Sequence, residues 1–192
     1  LLTNGDIDHT AGLLTLREKQ EFKLLMTSEI ADVITDNAVF NALDPEFVSR
    51  EHVKLDQENE VLKSLHITLF SVPGKVPLYL EGDTVVTDLE GEQTVGVKIR
   101  SGDKTLYYIP GCAKMTDRLR DIISGSDLIL FDGTLWRDDE MIEQGVGIKT
   151  GNRMGHMSMS GEDGTLAIFN DIEIERKIYI HINNFCNCYT HR

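Results

Sequence analysis

Asn4-Gly5-Asp6-Ile7-Asp8-His9 stands between a short apolar start, Leu1-Leu2-Thr3, and a helical pattern that begins at Ala11. A carboxylate and an imidazole side by side at such a point can both reach one cation. Asp8-His9 is equally a plain helix start, with Asp8 accepting backbone N–H bonds and His9 in the first turn. On the dipeptide alone the cap is the better reading. Its meaning depends on what the rest of the chain brings to it.

Working outward, apolar runs alternate with amphipathic segments, the pattern of a mixed α/β domain. Leu1-Leu2-Thr3 reads as the end of a strand and Asn4 to His9 as a loop. Ala11 to Glu18 reads as a short helix. Phe22 to Met26 is a buried strand, and Thr27-Ser28 caps a helix over Glu29 to Thr35. His66 to Val72 alternates like a strand and stops at Pro73-Gly74. Val95, Val97 and Ile99 face one way, Gly102-Asp103 turns, and Leu106 to Ile109 returns as a hairpin. Thr116 to Ile123 is helical, Leu128 to Phe131 is a strand ended by Asp132, and Arg176 to Ile182 is a last strand that carries His181. Gly82 to Gly91 reads as a polar surface loop, and Asp138-Asp139-Glu140 as an acidic helix start. Trp136 reads as packing.

Polar groups gather where these strands end, which is where loops on a rigid scaffold build sites. Each has an ordinary reading too. His181 alone is a hydrogen-bonded core histidine. His156, between Gly155 and Met157, is either an acid/base group or a loop residue. Asp132 is a turn former or a partner that orients a ligating histidine. Cys112 is a small buried hydrophobe, or a thiol lining a metal pocket. Lys75 and Arg153 are surface charges, or groups that bind substrate carboxylates, for which Arg is well suited.

Composition narrows the classes. The 192 residues carry a net charge of −13 with no Lys/Arg cluster, which argues against nucleic acid and anionic membrane as partners. No apolar run approaches the roughly 20 residues that span a bilayer. Three cysteines, Cys112, Cys186 and Cys188, are too few for a disulfide scaffold and fit a reducing compartment, so a cytoplasmic location is expected.

Taken in order, a loop Asp8-His9, a strand followed by Pro73-Gly74, a hairpin ending in Gly111-Cys112, Phe131-Asp132-Gly133-Thr134, Gly155-His156 and a strand carrying His181 resemble the metal-binding loops of the metallo-β-lactamase superfamily. The long stretches Leu2 to Arg17, Val72 to Glu81, Tyr108 to Ala113, Phe131 to Met141 and Lys149 to Ser160 resemble, more closely, the branch of that superfamily that serves the synthesis of coenzyme PQQ (pyrroloquinoline quinone). The resemblance implies an α/β, four-layer αβ/βα sandwich. It implies a partial domain over 1–184, incomplete at both ends and without the branch's cysteine-rich zinc segment. The atypical tail 185–192 then reads as a truncation or frameshift. Cys186, Cys188 and His191 are given no metal.

The departures from the superfamily pattern carry chemistry. Its first motif, His-x-His-x-Asp-His, has Asn4 and Asp6 in place of the two leading histidines. Its Pro-Gly-His is Pro73-Gly74-Lys75, and its bridging aspartate falls at Cys112. The first of two metal sites is therefore expected to be lost. The second is expected to hold one divalent metal on Asp8, His9 and His181, with Cys112 as a further candidate ligand. Two imidazoles and a carboxylate with open positions suit Fe(II), the favoured metal, and also Zn(II). The implied roles are proton transfer for His156, substrate binding for Lys75 and Arg153, and support of the ligands for Asp132 and Asp6. The implied function is iron-dependent hydroxylation of a tyrosine-derived, peptide-derived PQQ precursor, alongside other PQQ biosynthesis proteins and with no membrane insertion. Two alternatives are a carrier that assists transport of PQQ or its precursor to the periplasm, and a zinc-dependent hydrolase.

Overall fold

The computed structural model describes residues 1–76 and 86–186. After a short helix α1 (Ile7–Thr10) and a 3₁₀ turn over Ala11–Leu16, β1 (Phe22–Met26) leads into α2 (Ser28–Asp36) and pairs in parallel with β2 (Val48–His52). The Thr27 hydroxyl caps α2 by accepting from Ile30 N–H at 3.4 Å. This helix buries Ile30, Ala31 and Ile34 and leaves its acidic residues outward.

The main sheet has six strands in the order of the chain. β3 (Glu58–Leu62), β4 (Leu65–Ser71), β5 (Val95–Ser101) and β6 (Lys104–Ile109) run antiparallel, while β7 (Ser126–Asp132) and β8 (Ile174–Ile180) join in parallel. Successive side chains point to opposite faces, so the sheet serves two cores. Ile67, Leu69, Val95 and Val97 pack with Leu24, Met26, Ile30 and Phe40 on one side. Phe70, Tyr107, Ile109, Ile129 and Phe131 pack with Phe169 and with Leu119 and Ile123 of α3 (Asp117–Ile123) on the other. Both faces are covered, as a layered α/β domain requires.

Three short helices follow β7: α4 (Glu140–Glu143), α5 (Gly151–Met154) and α6 (Thr165–Ile168). The register Ile109↔Phe131 and Asp132↔Ile180 brings the C-terminal ends of β6, β7 and β8 to one edge. Cys112, Asp132 and His181 follow or end these strands. No helix among the described residues is long and apolar enough to cross a membrane.

Several local expectations are corrected. Residues 1–3 form no regular strand. They are held between the layers by Leu2 N–H to the Leu25 carbonyl at 2.9 Å and Val95 N–H to the Thr3 carbonyl at 2.8 Å. The Asp8-His9 loop is partly helical, because Thr10 N–H and its hydroxyl both return to the Asp6 carbonyl. The helix expected over Ala11 to Glu18 is the 3₁₀ turn, tightened by the Thr15 hydroxyl on the Gly12 carbonyl at 2.7 Å. β8 stops at Ile180, one residue before His181. β2 and β3 have no clear pattern in the sequence: β3 is a polar sheet edge, and its alternation is masked by Glu58, Asn59 and Glu60. Asp138 supports the start of α5 from outside it, its carboxylate accepting Asn152 N–H, while Asp139 and Glu140 begin α4. Part of the expected loop Gly82 to Gly91, part of the stretch Val72 to Glu81 and most of the tail 185–192 lie outside the described residues.

Candidate metal centre

At the open end of these strands, ligand atoms of Asp8, His9 and His181 all lie within 4.8 Å of one another. The first two come from α1. The third comes from the residue just past β8, where the chain turns into the left-handed region, φ 57°, uncommon for a non-glycine residue. His181 Nε2 stands 2.9 Å from Asp8 Oδ2, and the His9 and His181 rings are 4.8 Å apart at their centroids. The hydrogen bond to His181 holds the Asp8 carboxyl down at about 2, below the usual 3.8. Burial lowers the pKa of His9, so its ring is presented neutral, the form that ligates. A cavity of about 240 Å³ opens on this group, lined by Leu2, Thr3, Asp8, His9, Tyr108 and His181.

A second cluster shares His181. Asp132, at the end of β7 and 1% exposed, accepts four hydrogen bonds. Thr134 N–H and the Thr134 hydroxyl give to Oδ1 at 3.1 and 2.6 Å; Cys112 N–H and His156 Nδ1 give to Oδ2 at 3.1 and 2.7 Å. Four donors fill a carboxylate's lone pairs. Asp132, His156 and His181 also bring ligand atoms within 4.8 Å of one another, but Asp132 has no lone pair left for a cation. Burial opposes charge on this pair. The attraction between Asp132 and His156 outweighs it, lowering the Asp132 pKa and raising that of His156. The His156 and His181 rings stack at 5.5 Å.

Glycines let these loops approach. A Cβ on Gly133 would meet the Tyr179 Cβ at 2.8 Å and the Ile180 carbonyl at 3.2 Å. Gly155, at φ 85°, ends α5 in the left-handed conformation and turns the chain into His156. On its other side His156 borders a polar cavity of about 530 Å³, lined also by Lys114, Asn152, Ser158, Glu162 and Asp163.

Where the superfamily motif has its leading histidines, this chain has other bonds. The Asn4 side-chain oxygen accepts Asp6 N–H at 3.0 Å. The largely buried Lys75 lies with Nζ 3.8 Å from Asp6 Oδ1, its stem against Gly155. Cys112 stands outside both groups of ligand atoms. It is fully buried, its S–H donates to the Lys114 carbonyl at 3.3 Å, and burial pushes its pKa up, which describes a neutral thiol. Its link to the centre is its backbone N–H on Asp132. Arg153 lies on α5, partly buried, three residues before His156. Thr134, in sequence only part of a strand-end segment, touches Asp132, His156 and His181 with its hydroxyl. Its place two residues after the strand-ending aspartate is the one signal that could have singled it out.

Residues 1–182 match the family described as "Beta-lactamase superfamily domain". The chain is 54% identical over 184 residues to coenzyme PQQ synthesis protein B of Methylobacterium sp. (strain 4-46), covering 96% of this chain and 62% of that protein. Identity to the same protein of Rhizobium meliloti (strain 1021) is 52%, covering 96% and 61%. The crystal structure of Zn(2+)-bound PqqB from Methylobacterium extorquens superposes with a TM-score of 0.93 at 51% identity, over 96% of this chain and 62% of that one. The chain thus spans about three fifths of the length of these relatives. It belongs to the β-lactamase superfamily, and within it is similar to the B proteins of coenzyme PQQ synthesis.

Proposed function

We propose that this chain carries the metal-binding part of a protein of PQQ biosynthesis, and that it serves hydroxylation of a tyrosine-derived precursor with one divalent metal held by Asp8, His9 and His181. The observation that carries the metal reading is the 2.9 Å approach of Asp8 Oδ2 to His181 Nε2. Each is an acceptor when its group is in the ligating form, and two acceptors at that distance need a proton or a cation between them. One carboxylate and two imidazoles with open positions are the set expected for Fe(II), and equally a set that zinc accepts. The pathway rests on similarity to the B proteins of PQQ synthesis.

Asp132 fixes His156 through Nδ1, which leaves Nε2 as the ring atom that takes a proton from the substrate or returns it. Lys75 and Arg153 supply positive charge for substrate carboxylates, and the Asp6 carboxylate holds Lys75 in place. Cys112 is left out of the ligand set, as a neutral thiol beneath the site. Bound Fe(II) would supply the activation of O₂ that hydroxylation requires. A second reading, zinc-dependent hydrolysis, is favoured by the zinc named for the Methylobacterium extorquens relative. The replacement of the leading histidines by Asn4 and Asp6 weighs against it, since dinuclear hydrolysis uses that first site.

The test is O₂ uptake by the full-length protein loaded with Fe(II) or with Zn(II), given a tyrosine-containing substrate. Uptake that needs both Fe(II) and substrate, and that His181→Ala abolishes, is expected. Water addition with zinc and no uptake with iron would replace this reading with the hydrolase.

A further inference from the structure

The Thr134 hydroxyl has three polar neighbours and one proton. Oγ1 lies 2.6 Å from Asp132 Oδ1, 2.9 Å from His181 Nδ1 and 3.1 Å from His156 Nδ1. A carboxylate only accepts, so the hydroxyl proton goes to Asp132. The His156 Nδ1 proton is taken by the other carboxylate oxygen at 2.7 Å. What remains for His181 is the lone pair of Thr134, to which only a protonated Nδ1 can donate. We propose that Thr134 is the positioning residue of this centre, its hydroxyl accepting from His181 Nδ1–H and so presenting Nε2, the atom that faces Asp8, to the metal.

The main chain supports the same geometry. Gly133 N–H donates to the Ile180 carbonyl at 2.9 Å and Asn183 N–H to the Thr134 carbonyl at 3.1 Å, so the residues around His181 are bonded to the turn that carries Thr134. His181 is pinned between them at positive φ. Thr134 is 6% exposed, so water does not readily replace its hydroxyl. It also ties two functions together. The carboxylate that orients His156 is the same one that takes the Thr134 proton, so the ring meant for the metal and the ring meant for proton transfer hang from one hydroxyl.

This inference rests on the proposed metal reading, and the experiment separates the two. Full-length wild type, Thr134→Val and Thr134→Ser are compared for zinc affinity by chelator competition, and the His181 ring nitrogens are followed by ¹⁵N NMR, with and without zinc. The valine variant keeps the shape and loses the hydroxyl; it is expected to bind zinc about 10–100-fold more weakly, the usual loss when a ligand's outer partner is removed. The serine variant is expected to restore the affinity. Nδ1 of His181 is expected to be protonated in the zinc-loaded wild type and serine variant, and to stay protonated in wild type when zinc is removed. An unprotonated Nδ1 in wild type, unchanged zinc affinity in the valine variant, or a serine variant as weak as valine would each overturn the role of Thr134. If the valine variant does not fold, the wild-type tautomer decides. If wild type takes up no zinc at Asp8, His9 and His181, the metal reading fails, and the presence or absence of the Nδ1 proton in the metal-free wild type still judges Thr134.

Discussion

Asp8 Oδ2 and His181 Nε2 lie 2.9 Å apart although 173 residues separate them in the chain. Without a metal the two groups share a hydrogen bond, and that bond holds the Asp8 pKa down at about 2, from the usual 3.8. A depressed carboxyl stabilises the fold above its unfolded pKa and loses that contribution as pH falls through the folded value. Wild type is therefore expected to lose more stability than Asp8→Asn on acidification from 3.8 to about 2. Asp8 is more than half exposed, so solvent screening keeps the difference below about 1 kcal/mol. Denaturant midpoints across that range, measured without metal, check it; parallel curves would remove the pair.

The same three residues set the expected metal content. His9→Ala and His181→Ala should empty the site, because each removes one of only two imidazoles. Asp6→Ala should reduce occupancy less, since Asp6 is paired with Lys75. Elemental analysis of the full-length protein, corrected for any separate zinc, should give one equivalent here. Two equivalents at this site would sink the proposal.

His156→Ala leaves Asp132 ionised, wholly buried and short of its charged partner. Breaking a buried ion pair from one side typically costs about 3–5 kcal/mol. The three other donors to Asp132 place the expected loss toward the lower end. The raised His156 pKa adds a pH dependence: its contribution is full below the ordinary 6.5 and is lost as pH rises through the folded value. Urea titrations should show wild type weakening on the alkaline side while the alanine variant stays flat there.

Lys75→Met keeps the length of the side chain and removes its charge. If Lys75 holds a substrate carboxylate, substrate affinity should fall about tenfold, the loss of one partly screened charge contact. Metal content should stay unchanged, because Lys75 is paired with Asp6 and is not one of the three proposed ligands. Calorimetric titration with substrate and metal analysis on the same sample check both. Loss of metal in this variant would count against the assignment.

Much of the fold was legible in the chain. Strands with a clean two-residue alternation, such as β5 and β6 around Gly102, and helices with a hydroxyl cap, such as α2 after Thr27, declare themselves through local physics. So did the succession of strand-end motifs that carries the superfamily resemblance, and the substitutions Asn4, Asp6 and Lys75 in it. Local pattern failed where stability comes from distant partners. β3 is a polar edge recognised only by its pairing with β4, and β2 by its parallel pairing with β1. The centre divides in the same way. Asp8, His9 and His181 could be named as candidates, since residue type and order point to them. The hydrogen-bond count at Asp132, the neutral buried thiol of Cys112 and the hydroxyl of Thr134 between two imidazoles could not. Each depends on which donors meet at one point in space, and the parallel register of β6, β7 and β8 sets that point.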